Sequence, residues 1–220
     1  MKAEGFEDPL PSWLYFCEER VMESRKEFFD RHASSWDHRL SYAEKQQQVR
    51  EVISWFGVKA GEIVLDVGTG TGVLLPYLEE AVGARGKVAA MDFSLQMLKQ
   101  AKMREFPGDK TLINAGVTAI PFQSGRFDRV TCFCAFPHFP DKGKALDEMV
   151  RVLKKKGYLF IAHLHSVEEI NSLHEATGGA VIQDRLPDPE NLRTMMHNSG
   201  LQEISIISQP GKFLAQGRKA

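Results

Sequence analysis

A run of apolar residues that breaks into three alternating glycines constrains this sequence more than any other feature. Residues 63–67 read Ile-Val-Leu-Asp-Val, glycines follow at positions 68, 70 and 72, and mostly apolar residues resume over 73–78. This pattern predicts a buried parallel strand, a tight turn and a helix that begins at once. Glycine lets a ligand approach the main chain, and the first N–H groups of a helix are free to bind it. The sequence therefore predicts a ligand site at the end of this strand.

The spacing of the glycines narrows the class of ligand. A dinucleotide fingerprint needs a glycine where this chain has Val73, and a phosphate-binding loop needs a Gly-Lys-Ser/Thr ending that this loop lacks. A second predicted strand, residues 87–92, instead ends in Asp92, about 20 residues after the last glycine. A carboxylate at that place can accept hydrogen bonds from both hydroxyls of a ribose. The pattern therefore favours a ligand that carries a ribose.

Strands and helices alternate along the chain. Strands are predicted near residues 63–67, 87–92, 110–114, 127–133 and 157–163, with a closing antiparallel pair at 202–208 and 212–216. This alternation predicts an α/β fold, in which helices cover both faces of a mostly parallel sheet. Sheets of this kind bind ligands at the carboxyl ends of their strands, where the strand order reverses.

Several segments follow the glycine loop in a fixed order. They are residues 92–98 (Asp-Phe-Ser-Leu-Gln-Met-Leu), 119–122 (Ala-Ile-Pro-Phe), 126–130 (Arg-Phe-Asp-Arg-Val) and 146–154 (Leu-Asp-Glu-Met-Val-Arg-Val-Leu-Lys). Together with the loop, this series resembles the class I S-adenosylmethionine (SAM)-dependent methyltransferases, and among them the small stand-alone subgroup that includes the quinone-biosynthesis C-methyltransferases. The resemblance implies a Rossmann-like fold with a seven-stranded, mostly parallel sheet and an N-terminal helical lid. It also implies methyl transfer from SAM to a small-molecule acceptor, with S-adenosylhomocysteine as the product.

The resemblance implies which residues contact the cofactor. Asp92 would take the ribose hydroxyls, and Asp66 would fix the glycine loop or meet the amino group of the methionine part. Relatives often place an acidic residue where this chain has Gly116, so adenine recognition would depend on backbone groups and on apolar contacts. The full set of expected cofactor-binding residues is Asp66, Gly68, Thr69, Gly70, Gly72, Asp92, Phe93, Met97, Val117, Phe133 and Cys134.

The chain is expected to form a single domain in which residues 1–45 are the helical lid and residues 46–220 the SAM-binding core. A helix is predicted from Glu18 to Arg31, in a segment rich in aromatic residues. These aromatic side chains either pack that helix against the sheet or contact a flat substrate or the adenine. A second helix is predicted from Tyr42 to Phe56, with apolar residues at helical spacing and Gly57 at its end.

Composition bounds the possible partners and the compartment. The net charge of −1 provides no basic stripe for nucleic acid, and no apolar stretch reaches the roughly 20 residues that a membrane span needs. The first eleven residues do not resemble a signal peptide. Three cysteines suit a reducing compartment, and Cys132 and Cys134 would point to opposite faces of a strand, which argues against a disulfide between them. We therefore expect a cytoplasmic protein without a membrane span, and the sequence leaves its oligomeric state open.

Histidines cluster at the predicted ends of two strands and are the candidates for the acceptor side. His138 follows the fourth strand, and it either acts in catalysis or caps the loop and touches the cofactor carboxylate. His163 and His165 end the fifth strand and would share one face if the strand continued; His174 lies nine residues on. His138, His163 and His165 are thus the catalytic candidates.

Three interpretations of the group His163, His165 and His174 stay open. They are polar residues satisfied at a strand end, a base or orienting pair for an acidic C–H or phenol acceptor, or ligands for a metal or metalloid. Cys134 also falls where arsenic-methylating relatives place a binding cysteine, although the other cysteines of that pattern have no match here. The alternative function is accordingly a metal-, metalloid- or tetrapyrrole-binding protein on a SAM-binding fold. An NAD-dependent oxidoreductase is a further alternative.

A loop from Gly178 to Pro189 is expected to connect two helices near the predicted site. Its charged residues Asp184, Arg185 and Asp188 are interpreted as solvated loop charges, with contact to a substrate as the alternative. Ser166 and Glu169 are expected to cap the helix that precedes this loop.

Overall fold

A computed structural model describes residues 23–105, 108 and 111–220 of the chain. The strands of its sheet are β1 Ile63–Val67, β2 Lys87–Asp92, β3 Thr111–Asn114, β4 Phe127–Phe133, β5 Leu153–His163, β6 Leu201–Gln209 and β7 Lys212–Lys219. The helices are α1 Arg25–His32, α2 Trp36–Arg39, α3 Gln46–Phe56, α4 Leu75–Val82, α5 Leu95–Met103, α6 Lys142–Val152, α7 Val167–Thr177 and α8 Pro189–Asn198. Short 3₁₀ turns lie at Ala33–Ser35, Phe136–His138 and Gly179–Val181.

The seven strands form one sheet in the order β3-β2-β1-β4-β5-β7-β6. The first five strands run parallel, while β7 is antiparallel to both β5 and β6. The predicted fold class, a seven-stranded and mostly parallel α/β sheet, is confirmed. The strand order reverses between β1 and β4, and this switch point is where such sheets leave a crevice for a ligand.

Each face of the sheet carries its own layer of apolar side chains. On one face, α3 and α4 bury residues such as Val52, Phe56 and Leu78 against the strands. On the other face, α6 and α8 bury residues such as Leu146 and Leu192. Helices cover both faces, so the crevice opens at the edge where the parallel strands end.

Local signals in the sequence set several helix boundaries. α3 ends at Gly57, which has the left-handed φ of +56° that favours glycine at this position. α7 begins at Ser166, whose hydroxyl accepts from the Glu169 amide while the Glu169 carboxylate accepts from the Ser166 amide. Both boundaries were predicted and are confirmed.

The N-terminal segment packs beside the glycine loop. Residues 1–11, Cys17 and the first part of the predicted helix from Glu18 to Arg31 lie outside the described residues. Within the described residues the helix begins only at Arg25, because Ser24 caps it, and it ends at His32, so the prediction was wrong at residues 23 and 24. The Ser94 hydroxyl donates to Asp30 at 2.6 Å, and Arg104 and Thr71 bind Asp37. The division into a lid of residues 1–45 and a core of residues 46–220 stays a prediction.

Two further observations concern the helices and the cysteines. No helix in the described ranges has both the length and the apolar character that a membrane crossing requires. Cys132 is buried and Cys134 half-buried, and both are free thiols. The absence of a disulfide between them agrees with their i, i+2 spacing.

Gly72, which we expected to expose main chain to a ligand, instead faces α5. A Cβ at this position would lie 2.9 Å from the Cβ of Ala101 and 3.0 Å from Cδ1 of Leu75. Its φ of +76° is also left-handed. Gly72 therefore lets α5 pack closely against the start of α4, and the expectation that it contacts the ligand is corrected.

We predict that Gly72→Ala lowers the free energy of unfolding by about 2–4 kcal/mol, because it combines left-handed strain with overpacking against Ala101. Gly57→Ala is the matched control: its φ of +56° is equally left-handed, but an added Cβ would have no neighbour within 4 Å. We expect the control to lose about 1 kcal/mol. Urea unfolding of both variants measures the difference, and equal losses would contradict the packing role of Gly72.

Candidate functional site

The glycine loop after β1 is fastened to the end of the neighbouring strand β2. The amides of Gly68 and Thr69 both donate to the carbonyl of Met91, at 2.9 and 3.0 Å. A Cβ on Gly68 would lie 2.4 Å from the Cβ of Ala135, in the loop after β4, so this position has no room for a side chain. A Cβ on Gly70 would meet no atom within 4 Å. Gly70 therefore presents bare main chain to open space.

Asp92 joins the end of β2 to this loop. Its Oδ2 accepts from the Gly70 amide at 2.9 Å and its Oδ1 accepts from the Ser94 amide at 2.8 Å. The residue is 6% exposed, and burial raises the pKa of its carboxyl to about 6, although the two amides act in the opposite direction. The carboxylate thus fixes the turn while it faces the crevice.

Asp66, inside β1, is a second buried carboxylate in the same crevice. The Thr131 hydroxyl of β4 donates to its Oδ1 at 2.8 Å. Burial raises the pKa of Asp66 to about 6 as well, and the charge of Asp66 contributes to the raised pKa of Asp92. Two carboxylates that are both costly to ionise here favour a ligand with a positively charged group, because such a group offsets their desolvation.

A cavity of about 280 Å³ lies over the carboxyl ends of the strands at the switch point. Predicted site residues that line it are Asp66, Gly68, Thr69, Gly70, Asp92, Phe93, Met97, Val117, Phe133, Cys134 and His138. The cavity wall does not include Gly72, His163 or His165. The sequence thus located most of the wall near the glycine loop.

The part of the cavity wall that comes from the N-terminal segment was largely missed by sequence reasoning. Phe29, Trp36, Leu40 and Tyr42, all from the N-terminal part of the chain, line the cavity together with Arg25. Aromatic residues in this segment were noted, but helical periodicity does not show which of them faces a cavity. The alternative that some of them face a ligand site is the one that fits the geometry.

Cys134 lines the cavity beside Tyr42. It follows β4 with a φ of +53°, which is unusual for a residue with a Cβ. Its amide donates to the carbonyl of Ala162 at 2.9 Å, and burial raises the pKa of its thiol to about 12. Burial also raises the pKa of the adjacent Tyr42. Both groups are neutral at pH 7, so this wall is uncharged.

His138 is the histidine that the structure places at the cavity. Its Nδ1 lies 2.7 Å from Oδ2 of Asp184, and its ring contacts those of Phe29 and His174 with centroids 5.0 and 4.8 Å away. Asp184 is 1% exposed, so its interpretation as a solvated loop charge was wrong. Arg185 and Asp188 of the same loop are exposed, as expected.

His163 and His165 do not share a face, because β5 ends at His163 and the chain turns before His165. His163 is 4% exposed and packs edge-on against Phe213. Burial, and to a smaller extent the neighbouring histidines His138, His174 and His165, lower its pKa to about 3. His165 is half-exposed and lies 3.9 Å from the Glu169 carboxylate. The expectation that both histidines meet an acceptor on one face is therefore corrected.

The set His163, His165 and His174 does not form a metal site. Nδ1 of His174 binds the carbonyl of Asp184 at 2.6 Å, and Nδ1 of the half-exposed His165 faces the Glu169 carboxylate. Across the ranges that the structure describes, no three His, Cys, Asp or Glu side chains are grouped so that they could hold a metal ion.

Comparison with known proteins agrees with this geometry. Residues 65–161 match the family described as "Methyltransferase domain". The ubiquinone/menaquinone biosynthesis C-methyltransferase UbiE of Cronobacter sakazakii is 31% identical over 195 residues, which cover 77% of this chain and 78% of that protein. The UbiE protein of Photorhabdus laumondii is 29% identical over the same shares of both chains.

Solved structures show the same architecture. A SAM-dependent methyltransferase from Aquifex aeolicus is 26% identical, with a TM-score of 0.58 over 78% of this chain and 89% of that one. The fold is also that of a Haloferax volcanii protein described as a putative methyltransferase in complex with the Trm112 activator, at 20% identity and a TM-score of 0.73 over 89% of this chain and 99% of that one. With its glycine loop, its two crevice carboxylates and these relatives, the chain belongs to the class I SAM-dependent methyltransferases.

Proposed function

We propose that this methyltransferase transfers the methyl group of SAM to a hydroxylated aromatic ring. The observation that carries the proposal is that one cavity is lined by the carboxylates Asp66 and Asp92 and also by His138 and Tyr42. The names of the UbiE relatives, which describe C-methylation in quinone biosynthesis, support an aromatic acceptor and a ring carbon as its methylated atom.

The residues at the glycine-loop end fit SAM. Gly70 offers main chain that no side chain covers, and the buried carboxylates suit a cofactor that carries an ammonium and a sulfonium charge. We assign the ribose hydroxyls to Asp92 and the methionine part to Asp66 and to the main chain of residues 68–70. The adenine is assigned to Phe93, Met97 and Val117, and the sulfonium to the region of Phe133 and Cys134.

The other end suits a flat, apolar acceptor with one acidic hydroxyl. Phe29, Trp36, Leu40 and Tyr42 supply aromatic and aliphatic surface, on which a ring can stack. His138 lines the cavity in contact with Phe29 and can accept a proton. His163 and His165 have no part in the proposed chemistry, since neither lines the cavity.

The reaction is an in-line displacement at the methyl carbon. Proton loss from the acceptor hydroxyl gives a phenolate, which delivers electron density to the adjacent ring carbon. That carbon forms a bond to the methyl group, the methyl–sulfur bond breaks, and its electron pair stays on sulfur. The ring carbon then releases its own proton to restore aromaticity. Much of the rate enhancement comes from holding the two partners in line inside the cavity.

The N-terminal segment contributes to the wall of the cavity. α1 and α2 supply Phe29 and Trp36 to the cavity wall, so we propose that residues 1–45 act as a lid over both ligands.

We propose that the enzyme works in the cytoplasm, because the free thiols of Cys132 and Cys134 suit a reducing compartment.

For the cofactor, we predict that Asp92→Asn weakens S-adenosylhomocysteine binding by about 10–100-fold, because hydrogen bonds to a charged group are worth roughly 1.5–3 kcal/mol. Isothermal titration calorimetry at pH 8 measures the change. Asp188→Asn is the matched control, since Asp188 is an exposed N-cap residue and asparagine caps a helix equally well. Wild-type binding should also weaken as the pH falls through about 6, where Asp92 becomes protonated. Unchanged affinity in Asp92→Asn would refute the ribose assignment.

For the acceptor, a screen with methyl-labelled SAM against hydroquinone, catechol, thiophenol and aniline tests the proposal. We expect label in hydroquinone or catechol, and mass spectrometry with NMR should locate the methyl group on a ring carbon. Transfer to thiophenol or aniline alone would overturn the choice of a hydroxylated ring. Titration with NAD should give no heat, whereas titration with S-adenosylhomocysteine should.

A further inference from the structure

Asp184 carries a buried negative charge that the proposed contacts with SAM and with the acceptor do not explain. It lies in the loop between α7 and α8, and its side chain has no exposed surface. Oδ2 lies 2.7 Å from Nδ1 of His138, while Oδ1 accepts from Nε of Arg25 at 2.7 Å and from its Nη2 at 2.5 Å. A carboxylate buried at this depth is costly unless its partners are fixed, so the arrangement calls for an explanation.

The backbone around Asp184 is also held in place. Its amide donates to the carbonyl of Val181 at 2.9 Å, and its carbonyl lies 2.6 Å from Nδ1 of His174 on α7. Arg25 comes from α1 and His138 from the 3₁₀ turn after β4. Two separate parts of the chain thus converge on the carboxyl group while α7 and the turn before Asp184 hold its backbone, and of these partners only His138 and Arg25 also line the cavity.

We propose that Asp184 is a positioning residue that holds His138 as the base for the acceptor, with Nδ1 protonated and Nε2 free to take a proton. This inference depends on the proposed function, since it names the group that ionises the acceptor hydroxyl. It adds a His–Asp pair, completed by Arg25 of α1, to the acceptor end of the cavity.

The charge state of Asp184 decides the tautomer of His138. Burial acts to raise the pKa of Asp184, but hydrogen bonds from His138 and Arg25 outweigh burial and hold that pKa below its usual value. The carboxylate is therefore ionised at neutral pH and can only accept hydrogen bonds. Because Nδ1 of His138 must then carry the hydrogen, Nε2 of the neutral ring carries the lone pair.

Two positive charges and two neutral rings surround the pair of His138 and Asp184. Arg25 shares the carboxylate with His138, and Lys142 contributes a second positive charge near Asp184. Burial lowers the pKa of both His163 and His174, so these two rings stay neutral near pH 7. When His138 takes the acceptor proton, Asp184 is thus the negative group in contact with the imidazolium, and its charge stabilises the imidazolium as it forms.

The proton balance is complete without a further reactant. The hydroxyl proton of the acceptor moves to Nε2 of His138, and the phenolate takes the methyl group at its ring carbon while sulfur keeps the electron pair. The ring carbon then releases its proton to solvent, which leaves a phenolate, and His138 returns its proton to that phenolate oxygen. The sum is one methylated acceptor, one S-adenosylhomocysteine and one released proton for each SAM.

Kinetics of Asp184→Asn form the first test, with Asp188→Asn, on the same loop, as the matched control. We expect kcat to fall roughly 100-fold in Asp184→Asn and less than about twofold in the control, because proton transfer by a positioned group contributes at least that factor. Binding of S-adenosylhomocysteine should be unchanged in both variants. With nitrocatechol, whose hydroxyl ionises more easily than that of catechol, the loss in kcat should shrink, and it should also shrink as the pH rises.

A purely structural role for Asp184 gives a different result. The loss would then be equal for catechol and nitrocatechol, would not depend on pH, and would extend to S-adenosylhomocysteine binding; that outcome overturns the proposal. Because Arg25 loses its charged partner in Asp184→Asn, His138→Gln serves as the second variant. His138→Gln should show the same dependence on acceptor acidity, and an equal loss with both acceptors would also overturn it.

A spectroscopic test does not depend on turnover. In wild-type protein labelled with ¹⁵N-histidine, NMR should show His138 as the tautomer with Nδ1 protonated and Nε2 unprotonated, its signals being identified by their loss in His138→Gln. The opposite tautomer overturns the inference even if methyl transfer is observed. If no hydroxylated ring accepts a methyl group but the tautomer is as expected, the acceptor class is wrong and the His–Asp pair stands.

Discussion

The hydrogen bond between the Asp92 carboxylate and the Gly70 amide is the constraint on which the rest of the site depends. It ties the end of β2 to the turn that follows the neighbouring strand β1. The strand order reverses on the other side of β1, between β1 and β4. A turn of this kind has amides with no partner of their own, and water would otherwise solvate them. By satisfying one of these amides with a charge that also faces the crevice, the chain keeps the turn rigid and the cavity open.

The two ends of the cavity are built on different principles. The glycine-loop end depends on strands β1, β2 and β4, whose register is fixed by the parallel sheet, so its carboxylates Asp66 and Asp92 are held by main-chain geometry. The acceptor end depends on side chains from α1, α2 and the loop before α8, which meet by ion pairing and aromatic contact. A fold of this family can therefore keep its cofactor while the segments around the acceptor change.

The sequence predicted those parts of the structure that depend on residues close together in the chain. The glycine loop, the acidic end of β2 and the capping pair Ser166 and Glu169 are all short-range signals, and each is confirmed as structure. The pairing of His138 with Asp184 joins residues 46 positions apart, and no periodicity links them. The expectation for His163 and His165 failed for a related reason: an i, i+2 rule holds only while the strand continues, and β5 ends at the first of the two.

The helix α1, only eight residues long, contacts both ends of the cavity. Asp30 accepts from Ser94 beside the cofactor end, while Arg25 and Phe29 meet Asp184 and His138 at the other. A rigid segment of this length cannot release one end without shifting the other. Exchange of this helix between relatives would therefore alter SAM affinity and acceptor preference together, and the two properties would evolve as one trait.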